Sequence, residues 1–287
     1  MSKSSNTQPI SYYGGKQRMA HNIIPLIPKH TVYCEPFCGG ASIMFKKPWP
    51  DVTNNHHYME VINDIDGDLI NFYRQLRDNG EKLTRLLQLT PYSEYEHREA
   101  KTKNYEGLSD IERARRYFIN INTSFSKTLD SGWGRAKFGN NLPIGFKNKV
   151  DNLSKFIERT KGLYISNTDA IKCIKDWDSP QTFFYVDPPY VRTDQRHYSG
   201  YTEDNFKDLI EALEQCQGSF LLSCYPNDLC PNDWERFEFE ATMSASIKKA
   251  DKNKKRVEVV YKRLNRVPVR EEIQKLYDSG KFDCFTG

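Results

Sequence analysis

Long apolar runs are missing from this 287-residue chain, and none approaches the roughly 18 residues that a membrane span needs. The opening stretch, Met1 to Gln8, is polar and lacks the apolar core of a secretory leader. The seven cysteines are odd in number and scattered, with no C-x-x-C pair. That pattern excludes a disulfide framework and a zinc site and points to a reducing compartment. No G-x-G-x-x-G run is present, so the fingerprint of a nicotinamide-dependent oxidoreductase is lacking. Charge of one sign is not in excess either. The 42 Lys and Arg face 38 Asp and Glu, for a net charge of +4 and a pI of about 8.5. Such a balance does not by itself mark a nucleic-acid binder, so local clustering must. Internal repeats and low-complexity tracts are absent. A soluble, cytoplasmic protein is expected, long enough for one α/β domain carrying an insertion.

The most informative stretch is Asp187-Pro188-Pro189-Tyr190. It follows the apolar, β-prone run Thr182-Phe183-Phe184-Tyr185-Val186, which reads as a buried parallel strand. Ligands bind at the carboxyl ends of such strands. Two prolines stop the strand and set a stiff, extended corner. The corner holds together a carboxylate, carbonyls without amide protons, and an aromatic ring. Asp187 and the Pro188 carbonyl can each accept one proton of an amine while Tyr190 stacks on the ring that bears it. A nucleobase with an exocyclic amine fits. The four residues alone also describe a proline-rich turn with a capping Asp.

Earlier in the chain, Tyr12-Tyr13-Gly14-Gly15-Lys16 brings a cation to a flexible turn, and 19–27 reads as a helix. A strand at 31–34 runs into Glu35-Pro36-Phe37-Cys38-Gly39-Gly40-Ala41-Ser42, where a helix begins. A strand, a glycine turn and a helix open a nucleotide-binding α/β sheet. The next strand, 58–62, ends in Asn63-Asp64-Ile65-Asp66. A carboxylate at the tip of a second strand can hold two ribose hydroxyls, and Asp64 is the candidate. Asp66 and Asp68 suit the cap of the following helix.

Residues 75–160 leave the alternating pattern and look largely helical, at 81–89, 91–105 and 109–121. Between Asn122 and Lys149 the helical pattern breaks. There Lys127, Arg135, Lys137, Lys147 and Lys149 interleave with Phe125, Trp133, Phe138 and Phe146 among glycines. A glycine-rich loop or hairpin of this composition suits nucleic acid, and equally a surface loop whose aromatics pack on the helices beneath. Strands resume at 163–166, followed by Asn167 and Asp169. A loop with Arg192, Arg196, His197, Tyr198 and Tyr201 leads to a helix at 203–216. Strands at 220–223, 236–240 and 257–261 follow, the last two as an antiparallel edge. The basic loop between them includes Lys252, Lys255 and Arg256, suited to a solvated turn or to phosphates.

Taken together, these segments resemble the Dam-type adenine-specific DNA methyltransferases. The resemblance rests on the Tyr12–Lys16 motif, the run 35–42, the run from Asn63 to Ile70 and the 187–190 corner, in the family's order. It implies an α/β, Rossmann-like S-adenosylmethionine-dependent methyltransferase sheet with an inserted, mostly helical target-recognition domain containing a hairpin or loop. Residues 10–74 and 161–268 would form the discontinuous catalytic domain, 75–160 the recognition domain, and 269–287 a C-terminal helix and tail. The implied reaction moves a methyl group from S-adenosylmethionine to the 6-amino group of a flipped-out adenine in double-stranded DNA. By resemblance, Tyr12 and Lys16 lie near the donor's methionine, and Phe37, Gly39 and Gly40 form the cofactor loop. Asp64 holds the ribose, Ile65 packs on the cofactor's adenine, and Asp169, or alternatively Asn167, meets that adenine's polar edge. Asp187, Pro188, Pro189 and Tyr190 form the catalytic corner. Phe125, Lys127, Trp133, Arg135, Lys137, Asn141, Lys252, Lys255 and Arg256 are the expected DNA contacts. No metal is implied. A bacterial or phage origin follows, and a separately encoded restriction nuclease is compatible with it. The same corner would serve cytosine in DNA or adenine in RNA, and a non-catalytic DNA-binding protein on this fold is the remaining alternative. The insert departs from the family pattern at Asn120-Ile121-Asn122-Thr123-Ser124-Phe125 while keeping Asn141-Leu142-Pro143-Ile144-Gly145, so the DNA sequence recognised is not implied.

Overall fold

The computed structural model describes residues 8–12, 14–49, 58–102, 105–127, 129–139, 141–191, 200–241 and 256–265. In chain order, helix α1 (Ala20–Ile23) and a 3-10 turn (Ile24–Leu26) precede β1 (Val32–Glu35), α2 (Ser42–Lys46), β2 (Met59–Asn63) and the long α3 (Gly67–Gln88). Helices α4 (Glu94–Lys101), α5 (Asp110–Thr123), α6 (Leu142–Asp151) and α7 (Ser154–Lys161) follow. The remainder is β3 (Leu163–Ser166), α8 (Ala170–Trp177), β4 (Thr182–Val186), α9 (Glu203–Gln215), β5 (Ser219–Cys224), β6 (Glu235–Ala241) and β7 (Arg256–Arg263).

These elements pack as two units. One takes its described residues from Met1–Ala20, Gly39–Lys47 and Asp64–Asn167, the other from His21–Cys38, Pro48–Asn63 and Thr168–Gly287. The second unit carries strands in the order β2-β1-β4-β5-β7-β6. β2, β1, β4 and β5 are parallel, with Val32 opposite Met59 and Thr182, and Phe183 opposite Ser219. β7 runs antiparallel to both β5 and β6, with Ser223 opposite Val260 and Phe239 opposite Glu258. β1, β4 and β5 are buried along their whole length, which is why they read as near-continuous apolar runs. Phe184, Val186, Phe220 and Leu222 pack with Phe206, Leu209 and Leu213 of α9 and with Cys173 and Ile174 of α8. Because β1, β2 and β4 are parallel, Pro36, Asn63 and Asp187 emerge at the same edge of the sheet, where an α/β fold places its ligands.

The first unit is built on α3. Asp66 caps it by accepting the Asp68 and Leu69 amides at 3.0 and 3.2 Å. Asp68 is not a cap: its carboxylate takes Arg113 at 2.9 Å and the Tyr105 hydroxyl at 2.7 Å. The separate helix expected at 81–89 is the second half of α3, which continues through a kink at Asn79 (φ −135°, ψ 28°). At Gly80 a Cβ would lie 2.8 Å from Ile157, so the missing side chain lets α7 approach. Phe72 stacks on Phe118 of α5, and Phe118 meets Phe146 of α6 edge-on. α6 falls inside the segment read above as a break in helical pattern. The side chain of Asn141 caps it by accepting the Ile144 amide, and Pro143 sits in the first turn, where a missing N–H costs nothing. Gly145 had concealed that helix. The proposed C-terminal helix at 269–287 lies outside the described residues.

Candidate active site

The candidate corner, Asp187 to Tyr190, follows β4 immediately, and the strand's burial holds it there. Pro188 is buried, and Asp187, Pro189 and Tyr190 are half-buried. Beside the corner, Tyr185 and Ser223 share a hydroxyl hydrogen bond of 3.0 Å. The Tyr190 hydroxyl donates to Glu258 Oε1 at 2.5 Å, and its ring packs edge-on against Tyr225 with centroids 4.6 Å apart. Burial, then the charges of Asp187 and Glu258, push the Tyr190 phenol well above its usual pKa, so it stays protonated and acts as a donor.

The ends of β1 and β2 are tied by Asn63, which is fully buried. Its amide nitrogen donates to the carbonyls of Pro36 (2.9 Å) and Thr168 (3.0 Å), and its Oδ1 accepts the Thr168 amide at 2.9 Å. The sequence places Asn63 at a strand end and at the start of the 63–70 motif, with no role for its side chain. Its clamp joins segments 105 residues apart, which leaves no local signal. Phe37 is half-buried and meets Tyr201 edge-on at 6.1 Å. The Tyr201 hydroxyl is buried with no hydrogen-bond partner among the described residues. Asp169 caps α8 through Oδ1 alone, accepting the Ile171 and Lys172 amides.

In the first unit, Gly39 donates its amide to Asp64 Oδ2 at 3.0 Å, and Asp66 donates to Asp64 Oδ1 at 3.0 Å. Tyr73 donates to the Gly39 carbonyl at 2.9 Å. The Asn167 side-chain amide donates to the carbonyls of Asp64 and Ile65, so it braces this turn. Both residues considered for the cofactor's adenine edge keep an oxygen outside these bonds, Oδ1 of Asn167 and Oδ2 of Asp169. Burial raises the Asp64 pKa to about 6, against the lowering effect of its backbone donors. Ile65, beside it, is 74% exposed, a large apolar side chain held out where a flat ring can cover it. Lys16 is buried and donates to the Gly14 carbonyl at 3.1 Å. Gly40 packs against the Gln8 side chain, whose Oε1 is buried without a partner among the described residues.

Gly39 adopts φ +46°, and a Cβ there would lie 2.8 Å from the Tyr12 ring. A side chain therefore meets both a left-handed backbone and a wall. Gly39→Ala is expected to weaken S-adenosylmethionine binding by about tenfold or more, from ~1–2 kcal/mol of backbone strain plus displacement of Tyr12. Isothermal titration checks this, and an unchanged Kd would remove Gly39 from the cofactor loop.

The basic, aromatic segment is pinned rather than loose. His97 meets Thr123 Oγ1 at 2.8 Å and the Ser131 carbonyl at 3.1 Å. Tyr92 donates to the Gly134 carbonyl, and Ser124 bridges Trp133 in antiparallel fashion. Trp133 is half-buried against Tyr92, whereas Phe125 and Phe138 are exposed, Phe138 by 93%. Arg135 and Lys137 are exposed; Lys127 is half-buried and donates to the Asn122 carbonyl. Burial lowers the Lys127 pKa and, together with the Lys127 charge, brings Lys149 down to about 7; Lys149 donates to Ser11. Lys252 and Lys255, with Arg192, Arg196, His197 and Tyr198, lie outside the described residues, while Arg256 opens β7. A cavity of about 180 Å³ is also lined by Asp66, Asp68, Tyr105, Tyr117, Asn120 and Asp130. Internal partners already engage these acids, as Asn120 does Asp130 at 2.8 Å.

A family model for D12 class N6 adenine-specific DNA methyltransferases matches residues 12–254. The chain belongs to this family. It is a methyltransferase that modifies the 6-amino group of adenine in DNA. It is also similar to the type II methyltransferase M1.LlaDCHI of Lactococcus lactis subsp. cremoris, with 26% identity over 278 residues, covering 87% of this chain and 93% of that protein. Among solved structures it is similar to the rRNA methyltransferase aviRa of Streptomyces viridochromogenes, with 11% identity and a TM-score of 0.36, covering 88% and 86% of the two chains. The family uses S-adenosylmethionine as its methyl donor. The residues present fit that group: a half-buried carboxylate at Asp64, an exposed apolar neighbour at Ile65 and a glycine turn at 39–40. Among the described residues, no group of three or more His, Cys, Asp or Glu is placed to hold a metal ion, and no helix is long and apolar enough to cross a membrane.

Proposed function

We propose that the 187–190 corner methylates an adenine flipped out of duplex DNA, with Asp187 and the Pro188 carbonyl holding its amine and Tyr190 stacking on its ring. The observation that supports this most is the corner itself, a carboxylate and an anchored aromatic ring at the end of a buried parallel strand. An adenine inside the helix cannot reach such a corner, and extrusion costs a few kcal/mol that stacking and base-edge hydrogen bonds offset. The amine lone pair of adenine is delocalised into its ring. Two acceptors on the amine protons draw the nitrogen towards tetrahedral geometry and free that pair. They also stabilise the positive charge that grows on the nitrogen. S-adenosylmethionine, when bound, supplies an electrophilic methyl group. Asp64 would hold its ribose, Ile65 and Asp169 its adenine, and Tyr12, Lys16, Phe37, Gly39 and Gly40 its methionine end and loop.

In this reading residues 75–160 recognise the DNA, with Phe125, Lys127, Trp133, Arg135, Lys137 and Asn141 facing it. The exposed ring of Phe138 suits a wedge where the target leaves the stack. Phe138→Ala is expected to slow methylation about tenfold, given ~1–3 kcal/mol for base–aromatic stacking, with cofactor affinity unchanged. Pre-steady-state methyl transfer on a short duplex measures it, and a wild-type rate would place the wedge elsewhere. The likeness to a type II methyltransferase supports work beside a separately encoded restriction nuclease, in a bacterial or phage-infected cytoplasm.

The direct test is to incubate the purified protein with unmethylated genomic DNA and S-adenosylmethionine and to map modified bases by single-molecule sequencing. N6-methyladenine in one short motif is the expected result. Methylcytosine, or methylation of RNA alone, would overturn the assignment.

A further inference from the structure

Glu258 sits in β7 between Val257 and Val259, with its side chain only 7% exposed. A buried carboxylate costs several kcal/mol unless hydrogen bonds compensate it, so its partners define its use. One is the catalytic corner. Glu258 Oε1 accepts the Tyr190 hydroxyl at 2.5 Å, across 68 residues of sequence. That is the short distance of a charge-assisted O–H···O⁻ bond. A tyrosine ring has two torsions. The carboxylate fixes the tip of Tyr190, and Tyr225 closes one side, edge-on at 71°. The hydrogen bond sets where the ring's long axis points, and the Tyr225 edge restricts rotation about that axis. Glu258 can serve in this way because β7 lies directly beside β5, with Cys224 opposite Val259.

We propose that Glu258 is a positioning residue for methyl transfer: its carboxylate anchors the tip of Tyr190 and so holds the ring at the place where the flipped adenine stacks. This rests on the reading of Tyr190 as the stacking residue. Glu258 does not touch the base, and it acts only through the phenol. An acceptor oxygen is required at this position, and its charge strengthens the bond.

The test uses the full-length protein and a duplex carrying its mapped recognition motif. Single-turnover methyl transfer is measured for Tyr190→Phe, Glu258→Leu, Glu258→Gln, the Phe/Leu double variant and Tyr190→Ala. A parallel set of duplexes carries 2-aminopurine at the target position, with S-adenosylhomocysteine as the bound cofactor product. Tyr190→Phe and Glu258→Leu should each slow transfer by about ten- to a hundredfold, the range of one hydrogen bond to a charged group, with unchanged cofactor Kd. The double variant should be no slower than either single one. Glu258→Gln, whose amide oxygen still accepts the phenol, should recover part of the rate and lie between Glu258→Leu and the wild type. The 2-aminopurine signal should be brighter in Tyr190→Phe and Glu258→Leu than in the wild type, because a wandering ring quenches the flipped base less. A Gln variant as slow as the Leu variant, or additive losses in the double variant, would overturn the proposal. So would a wild-type rate for Tyr190→Phe alongside an inactive Tyr190→Ala. A fully active Tyr190→Ala would instead sink the stacking role itself. Tyr190→Phe removes one oxygen and carries the test should Glu258→Leu not fold.

Discussion

Asp187→Ala should lower the rate of methyl transfer by about a thousandfold or more while leaving S-adenosylmethionine affinity within a few-fold of wild type. One preorganised group aimed at developing charge contributes ~10²–10³ in rate, and the pyramidalisation of the amine is lost with it. Asp187 is half-buried and its charge reaches the hydroxyls of Tyr185 and Tyr190, so its field acts in a partly water-excluded corner. Asp187→Asn keeps an acceptor oxygen but loses the charge, and it should fall between alanine and the native residue. Quench-flow methylation of a short duplex, with titration of the cofactor alongside, separates the two effects. A normal single-turnover rate with lost cofactor affinity would move Asp187 out of the catalytic role.

Cofactor affinity should strengthen as pH rises through about 6 and then level off, because Asp64 titrates there. Burial is the largest cause of the raised pKa, so the folded apo-protein disfavours the ionised form. Below that pKa, one carboxylate oxygen carries a proton and fewer lone pairs remain for two ribose hydroxyls, since Gly39 and Asp66 already occupy one position on each oxygen. Binding that selects the ionised form loses about tenfold in affinity per pH unit below the pKa. The stability of the unliganded protein should move the other way. A folded pKa above the unfolded one gives a contribution present at low pH and lost as pH rises through about 6. Asp64→Asn should flatten the binding profile and weaken affinity by about ten- to a hundredfold at neutral pH, the range for hydrogen bonds to a charged acceptor. Calorimetric titrations on either side of pH 6 decide it. A profile that stays pH-dependent in the Asn variant would assign the transition to another group.

The 187–190 corner stands out in the sequence because β4 is buried on both faces and must be apolar, so its boundary with Asp187-Pro188-Pro189 is abrupt. The same holds for β1 and β5, and for Asp64 at the end of β2. The antiparallel edge of β6 and β7 was visible as alternating strands around a basic turn. The helix α6 was not, because Pro143 and Gly145 are breakers by composition, and only the cap by Asn141 and the packing of Phe146 on Phe118 make a helix there. Asn141 itself, expected at the DNA, is first a helix cap, and Trp133 first packs on Tyr92.

By itself, then, the sequence determined the α/β alternation, the strand tips and the chemistry offered at each, because burial and backbone stiffness act on neighbouring residues and leave local patterns. The tertiary structure alone decided which of those groups are held still. The clamp of Asn63 on Thr168, the brace of Asn167 on Asp64 and the bond from Tyr190 to Glu258 join residues 105, 103 and 68 positions apart. A hydrogen bond between two side chains has no period along the chain, and so no pattern in the sequence announces it.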